Sequence, residues 1–594
     1  MTVIAGAISR NDRALPTWLR DSLVSNLSRH PSESIQILSG VGWFFAKVDV
    51  GAFKCKGAFT RPDGPALVIA GEPLLSGLKY EGCQNREAEG RVLFEDLCSG
   101  TYAALHAATG AFCGAYYSPQ EHRLTLIADK LGLRPIYYIV TPEFAAFTSA
   151  LRLFEAAGLA SGGIDLRGTY QTCAFGFPLG TRTCYAEIRT IGAAELVHVR
   201  RESEEHLEYF RWDKLAHTDG DDNRLINQLT DAFDRAVKKR LRGDKTTLAF
   251  LSGGLDSRTI VATLRKYGVD VFTVNFAPPE TQDRIFGALV AASLGTKHHQ
   301  LDVPYSAAKD IYRQEFLQQW VDSIGSLTRG PERPHCIWSG DGGSVALGHV
   351  YLDDQTVDQF EKGEAAAGIR AFLRYNRITG ASNNAMVHAF RNQSREWHIE
   401  SVREEIASMD GRSDGRALHL FLMLNDQRRH MAKHFENIDM RRFEFFMPFF
   451  DSDFLEVILR APIRPFLRHA LYHKWLMAMS PTAASVPWQT YPHHEPCPVR
   501  FKERLRYQFV DYHDRLEDSK LARKLGRQAL SGFWNRNFPN HLIDRFRYAV
   551  AIVSCLLGWN SYGHIVRVGE TFVSHWQRTH SRAPGHFPST RVQS

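Results

Sequence analysis

No C-x-x-C pair occurs among the nine cysteines, which at positions 55, 83, 98, 113, 173, 184, 336, 497 and 555 are odd in number and widely spaced. That excludes a zinc ribbon, a dithiol redox motif and a disulfide framework, and it points to a reducing compartment. H-E-x-x-H and G-x-S-x-G are absent too, which removes the commonest zinc-hydrolase and serine-hydrolase signatures. So is G-x-x-x-x-G-K-S/T, and with it the P-loop route to γ-phosphoryl transfer. Charge of one sign is scarce: 72 Lys+Arg against 65 Asp+Glu give +7 without a polybasic block, so no nucleic-acid partner is expected. The longest apolar run, Tyr548–Trp559, falls short of the ~20 residues a membrane span needs and reads as a buried helix. The start, MTVIAGAISRNDR, has no basic-then-apolar signal pattern. A cytoplasmic protein without membrane contact is the expectation.

What is present is an ordinary globular composition, 44% hydrophobic and 11% aromatic, over 594 residues, enough for two or more domains. The first third has short apolar or alternating runs at Thr2–Ile8, Ala66–Ala70, Gly110–Tyr117, Leu124–Ala128 and Ile136–Val140, bounded by turn residues. Helical periods intervene at Trp18–Arg29 and Glu87–Leu97, giving an α+β unit over residues 1–216. The polar stretch His217–Arg224 reads as a linker, and residues 217–594 follow a different rhythm. Helix Leu225–Arg242, strand Thr246–Leu251, helix Ser257–Tyr267, strand Asp270–Phe276 and helix Asp283–Leu294 alternate as right-handed βαβ units do, which implies a parallel sheet. Beyond Val345 the chain reads as mostly helical, with loops at Gly411–Gly415 and Pro481–Pro498.

The chemistry centres on Ser252-Gly253-Gly254-Leu255-Asp256-Ser257, between a buried strand and a helix. Ligands of parallel sheets bind beyond the carboxyl ends of strands, where a helix N-terminus offers free N–H groups to an anion. Glycines admit phosphate oxygens to the backbone and the serines add donors. Asp256 repels an anion unless a cation bridges the two, and Mg²⁺ is the natural bridge. The bland rival is a capped glycine turn with no ligand.

This hexapeptide and its setting resemble the asparagine synthetase family, whose ATP-pyrophosphatase domain carries SGGxDS on its first strand–helix turn. The likeness runs from Ala249 to about Pro498: Val271–Phe276 with Asp283 and the Leu294–His299 turn (LGTKHH), Trp338–Gly343 (WSGDGG) for the family's second glycine motif, and Pro448–Asp451 (PFFD) for its PFLD. Met1–Gly6 (MTVIAG) and Leu126–Tyr138 (LIADKLGLRPIYY) resemble segments of its glutaminase domain. The resemblance implies an N-terminal glutaminase-like, Ntn-type α+β sandwich. It implies next a parallel-sheet ATP-pyrophosphatase domain, adenine nucleotide α-hydrolase-like, with a helical C-terminal part. It also implies ATP and Mg²⁺, with Leu251, Ser252, Gly253, Gly254, Asp256, Ser257, Val274, Gly340 and Gly342 around ATP and pyrophosphate, and Asp256 and Asp341 on the metal.

Several positions depart from the pattern. Thr2 stands where glutamine-dependent members have their nucleophilic cysteine, and Ala70 replaces the asparagine of the oxyanion hole. The N-terminal domain is then expected to be a scaffold. The family's metal-binding aspartate falls on Ser344, and its neighbouring glutamate, a tyrosine in the β-lactam branch, falls on Asp341. Its catalytic lysine belongs near Val486–Pro498, which has none; His493, His494, Lys474 and Lys502 are the candidates for that role, and Asp341 and Lys474 are taken as catalytic. A member that makes no ammonia uses an amine already on its substrate, as the β-lactam-type synthetases and the lasso peptide cyclases do. The expectation is an amide-forming ligase acting on a peptide or small amino-carboxylate, lasso-type macrolactam closure being favoured, with a precursor peptide and a leader peptidase as partners. Trp475, Trp488, Tyr491, Arg500, Arg504 and Arg506 are the residues expected to line a larger site. Rival readings are an asparagine synthetase using ammonia and a nucleotide-binding pseudoenzyme.

Overall fold

The computed structural model describes residues 2–580 except Asp12, 31–32, Val50, Lys56, 78–84, 219–220, 303–310, 381–382, 410–414 and 508–514. Cys83, part of the expected linker and most of the loop at 411–415 lie outside the described residues.

Twelve strands build the first region: β1 (Thr2–Ser9), β2 (Ile35–Gly40), β3 (Trp43–Asp49), β4 (Ala58–Thr60), β5 (Ala66–Gly71), β6 (Phe112–Ser118), β7 (Arg123–Ala128), β8 (Tyr137–Val140), β9 (Phe144–Thr148), β10 (Arg189–Thr190), β11 (Glu195–Val199) and β12 (Glu204–Glu208). They form two six-stranded antiparallel sheets, ordered β10-β8-β9-β1-β3-β2 and β12-β11-β7-β6-β5-β4. All five expected strands are there, as β1, β5, β6, β7 and β8. Alternation along β1 explains the layering: Ile4 and Ile8 join Phe45, Val68 and Leu126 in the core between the sheets. Val3, Ala5 and Ala7 face the other way, into a core shared with the helix Thr17–Ser25. The helix Arg86–Ser99 covers the outer face of the second sheet through Leu93, Phe94 and Leu97. This is the α+β sandwich that the sequence resemblance implies.

The second region contains the parallel sheet, with β13 (Thr246–Phe250), β14 (Asp270–Asn275), β15 (Lys297–Gln300), β16 (Cys336–Trp338) and β17 (Glu444–Phe446) in the order β15-β14-β13-β16-β17. Helices Leu255–Lys266 and Gln282–Leu294 make the crossovers. From β13 the chain first adds strands on one side and then, with β16, on the other, so the order reverses between β13 and β16. That reversal opens a crevice at the carboxyl ends of the two strands. Both glycine motifs sit there.

Helices dominate from Gly343 to His580, and the last three, Arg515–Phe533, Arg545–Leu556 and Gly563–His580, form a bundle around Tyr548, Ile552, Val566 and Phe572. The apolar run at Tyr548–Trp559 is helical as far as Leu556 but only half-buried: Tyr548, Ala551 and Ile552 face inward, whereas Val553 is 54% and Leu557 58% exposed. Its length suited a buried helix, yet only one face meets the bundle. No helix among the described residues is long and apolar enough to cross a membrane. The two regions are clamped by Asp439, which accepts from Arg29 and Arg152, and by Arg428, whose guanidinium reaches the carbonyl of Gly132 at 3.0 Å.

Candidate active site

The turn after β13 is held by its own side chains. Ser257 Oγ accepts from Ser252 N at 2.9 Å and shares a hydrogen with Ser252 Oγ at 2.9 Å, while Gly254 N donates to Ser252 Oγ at 3.2 Å. Gly253 N donates to the carboxylate of Asp283 at 2.5 Å. With those groups engaged, an anion would meet the first-turn N–H groups of the Leu255–Lys266 helix and the serine hydroxyls. A Cβ on Gly253 would stand 2.7 Å from the Gln282 carbonyl oxygen, so only glycine fits. Below the turn, Arg258 is fully buried and donates to the carbonyls of Gly253, Gly254, Ala483, Val486 and Pro487, tying the turn to the late loop. Asn275 Nδ2 donates to the Leu251 carbonyl at 2.9 Å from the next strand.

The turn after β16 packs directly on the first. A Cβ on Gly340 would lie 2.9 Å from Ser257 N, one on Gly343 2.5 Å from the Asp256 carboxyl carbon, and Gly342 has φ +90° over the Phe450 ring. Ser344 therefore arrives beside Asp256, and its N–H and hydroxyl both donate to that carboxylate, at 3.0 and 2.9 Å. Burial pushes the Asp256 carboxyl up to about 6, against hydrogen bonds from Tyr472 and Ser344, and Asp341 adds to the rise. Asp341 accepts from Ser339 Oγ and faces His430 Nε2 at 3.8 Å.

Two cavities meet at Asp256. One, of about 170 Å³, lies between the first turn and the late loop, against Asp283, His469, His473, Tyr491 and His494. The other, of about 750 Å³, runs past Gly340, Gly342 and Asp341 to Phe276, Phe445, Tyr351 and Asp426. Asp426 sits on a π-helical turn, Leu422–Gln427, a local widening that recurs at functional sites.

A family model described as asparagine synthase matches residues 228–325, and one described as a glutamine amidotransferase domain matches residues 80–210. Asparagine synthetase 1 (glutamine-hydrolysing) of Bacillus subtilis is 22% identical over 191 residues, 32% of this chain and 30% of that protein. Putative asparagine synthetase 2 of Methanocaldococcus jannaschii is 23% identical over 327 residues, 50% of this chain and 61% of that protein. The chain is similar to the asparagine synthase family over these segments. It spans 30 to 61% of the length of these two relatives. A glutamine phosphoribosylpyrophosphate amidotransferase structure from B. subtilis is similar at 10% identity and TM-score 0.25, covering 58% of this chain and 77% of that one, a likeness too low to carry an argument.

Against the asparagine synthase pattern, the structure gathers Ser252, Gly254, Asp256, Ser257, Gly340, Asp341 and Gly342 at the two cavities, with Gly253 behind them. Leu251 and Val274 are there in backbone only: their side chains are buried in the core, and Leu251 N donates to the Val274 carbonyl at 2.9 Å. Lys474 is not brought to the site. It is exposed on the helix Ala470–Met479 and paired with Asp222 at 2.6 Å, because that helix turns its other face, with Tyr472 and Trp475, to the core. Trp475 and Trp488 are likewise buried, against Phe233 and His473 respectively, and do not line a substrate site. Lys502, His493, Arg500, Arg504 and Arg506 are exposed; Tyr491 and His494 do face the smaller cavity. Among the described residues neither cavity is lined by a lysine. Residues the motifs did not flag are Asp283 as a partner of the turn, Arg258, Asn275, Asp426 and His469.

The N-terminal position of the family's nucleophile looks different. Thr2 is buried, its hydroxyl donates to Asp49 at 3.3 Å and accepts from Arg86 at 3.4 Å, and Arg86 also donates to Asp49 at 2.8 Å. Lys47 is buried within 3.1 Å of the same carboxylate, its ammonium lowered to about 7 mainly by burial. Cys113 on β6 is buried too, and desolvation pushes its thiol up to about 12, so it is no nucleophile.

Proposed function

We propose that this protein is an ATP-dependent ligase, forming AMP and pyrophosphate, that adenylates a carboxylate and lets an amine of the same molecule attack it, closing a macrolactam ring on a ribosomal, lasso-type peptide. The observation that carries the reading is the contrast between an open cavity at the Ser252–Ser257 turn and the buried Thr2, whose hydroxyl is tied to Asp49 and Arg86. An unactivated carboxylate is a poor acyl donor, and its adenylation needs the triphosphate held at its β- and γ-phosphoryl groups while the α-phosphorus is attacked. The helix N-terminus with Ser252 and Ser257 suits that hold. Asp256 lines both cavities and Asp341 the larger one, a carboxylate pair that suits a divalent ion; Mg²⁺ held by Asp256, with Asp341 near, would neutralise polyphosphate charge. Among the described residues no group of three or more His, Cys, Asp or Glu side chains could hold a metal, so the phosphates must complete its coordination.

Tyr351, Phe276 and Phe445 along the larger cavity favour a peptide over a small bicyclic lactam, and its size, about 750 Å³, suits that choice. A precursor peptide and a leader peptidase are the partners this reading calls for. Ser344 in the metal aspartate's place and the lack of a lysine favour a second reading, a nucleotide-binding pseudoenzyme. ATP–pyrophosphate exchange separates them: it should depend on an added peptide carboxylate and be indifferent to glutamine. ATP binding without exchange for any peptide carboxylate would select the second reading.

A further inference from the structure

The smaller cavity poses a charge problem. Its walls include the carboxylates of Asp256, Asp283 and Glu495, and among the described residues neither a lysine nor an arginine lines it. One divalent cation does not offset three carboxylates and a polyphosphate, so the remaining donors decide whether an anion is held. Besides the helix N–H groups they are Ser252, Gln489, whose Nε2 is buried without a partner, Thr490, Tyr491 and three imidazoles, Ser344 being spent on Asp256.

Those imidazoles are arranged, and their protons can be assigned. His469 Nδ1 and His494 Nδ1 are 2.7 Å apart, so one nitrogen donates and the other accepts. Burial holds both rings neutral, His494 lowered to about 4 and His469 well below its ordinary value. The Nε2 of His469 is buried without a partner and faces Gly348, where a Cβ would approach it to 2.1 Å. An orphaned N–H costs more than a lone pair turned to an apolar wall, so His469 carries its proton on Nδ1 and is the donor. His494 must then accept at Nδ1 and carry its proton on Nε2. The arrangement is braced: Arg468 and His469 are consecutive left-handed residues with φ of 56° and 64°, and His469 stacks on Tyr491 at 5.5 Å and on Tyr472 at 5.9 Å. His473 accepts at Nε2 from Trp488 Nε1 at 3.2 Å, so its proton lies on Nδ1, the ring nitrogen nearer the backbone of its helix.

We propose that His494, its tautomer fixed by His469, donates from Nε2 to a phosphoryl oxygen of the bound nucleotide or pyrophosphate, filling the place where this family's lysine is missing. This rests on the ligase reading for its substrate. In the adenylation step a carboxylate oxygen bonds to the α-phosphorus as the bond to the β-phosphoryl oxygen breaks; the leaving pyrophosphate takes the electron pair, and a donor at His494 stabilises that charge without transferring a proton. His494 is thus the catalytic residue and His469 a positioning residue.

The test uses the full chain with magnesium pyrophosphate as probe, titrated calorimetrically, and ¹⁵N-histidine NMR. The His494 signal should report the Nε2–H tautomer and shift when the probe is added. His494→Ala should weaken binding about tenfold or more, as loss of a hydrogen bond to a charged group does. His494→Gln, which keeps an N–H near the Nε2 position, should stay within about threefold of wild type, and His469→Asn should retain more affinity than His469→Leu. An Nδ1–H tautomer at His494, unchanged affinity in His494→Ala, or a wild type that does not bind the probe would overturn the proposal. Absence of AMP formation with His494-dependent pyrophosphate binding intact would instead count against the ligase reading alone.

Discussion

Two regions of this molecule each depart from the asparagine synthase pattern at a position the resemblance marks, and their surroundings are built in opposite ways. Around Thr2 the space is closed by charge: Arg86 packs against Asp49 and Lys47 of β3, and the hydroxyl is one more partner in that cluster. Around Ser344 the space stays open. The substituted serine turns its N–H and hydroxyl onto Asp256, both glycine turns keep the close approach that excludes any Cβ, and two cavities converge there. Around Thr2 the charges are buried against one another, whereas Asp256 stays at the wall of two cavities, and its burial is visible in the raised carboxyl.

The sharpest way to break the comparison is to disable the open site. Asp256→Ala removes the carboxylate common to both cavities and should lower ATP–pyrophosphate exchange on the order of 10²–10³-fold. Exchange at the wild-type rate would take Asp256 out of the site. Next in size is Arg258→Leu, which strands five buried carbonyls between the glycine turn and the 483–487 loop. Destabilisation on the order of 3 kcal/mol or more is expected in urea unfolding. A shift below about 1 kcal/mol would mean that the turn does not depend on the late loop.

Acid should separate the regions. Burial holds His473 and His494 at about 4 and His349, His419 and His469 well below 6.5, so between roughly pH 6.5 and 4 the unfolded chain binds protons these rings refuse. Stability of the second region therefore falls as pH drops through that window, against a smaller opposing effect from Asp256 and Glu436. In the first region Glu89 is raised to about 7 and Asp129 to about 6, which together outweigh His198, lowered to about 4, so the fold there takes up protons and gains stability as pH drops toward 4. Hydrogen exchange at pH 5 against pH 7 should show protection lost first around Ala470–Met479 and kept in β5–β7. Uniform loss would contradict the assignment of these groups. The smallest effect belongs to Thr2→Ala, which should leave turnover unchanged and cost about 1 kcal/mol for its hydrogen bonds. Glutamate release from glutamine that disappears in this variant would show that the closed site still works.

Much of the open site was legible because it is local. Ser252–Ser257 declares a strand, a turn and a helix within six residues, and Trp338–Gly343 does the same for the second turn. The strands that alternated or ended on turn residues were also readable. β3 was not: Trp43–Val48 is buried on both faces, so no period of two marks it. The misplaced residues fail for one reason, which is that orientation on a helix and packing across the chain are not written in a motif. Lys474 lies on the solvent face of its helix, and His469 meets His494 only because two left-handed residues turn the chain back. The π-helical turn carrying Asp426 leaves no periodic trace at all.

The central claim is that the open site activates a carboxylate for an amine on the same molecule. Full chain, ATP, Mg²⁺ and a candidate precursor peptide, followed by nucleotide analysis and mass spectrometry, test it most directly. The account predicts AMP and pyrophosphate in equal amounts and a peptide product lighter than its substrate by one water, with no effect of glutamine or ammonia. ADP and phosphate, or a product that incorporates added ammonia, would contradict it.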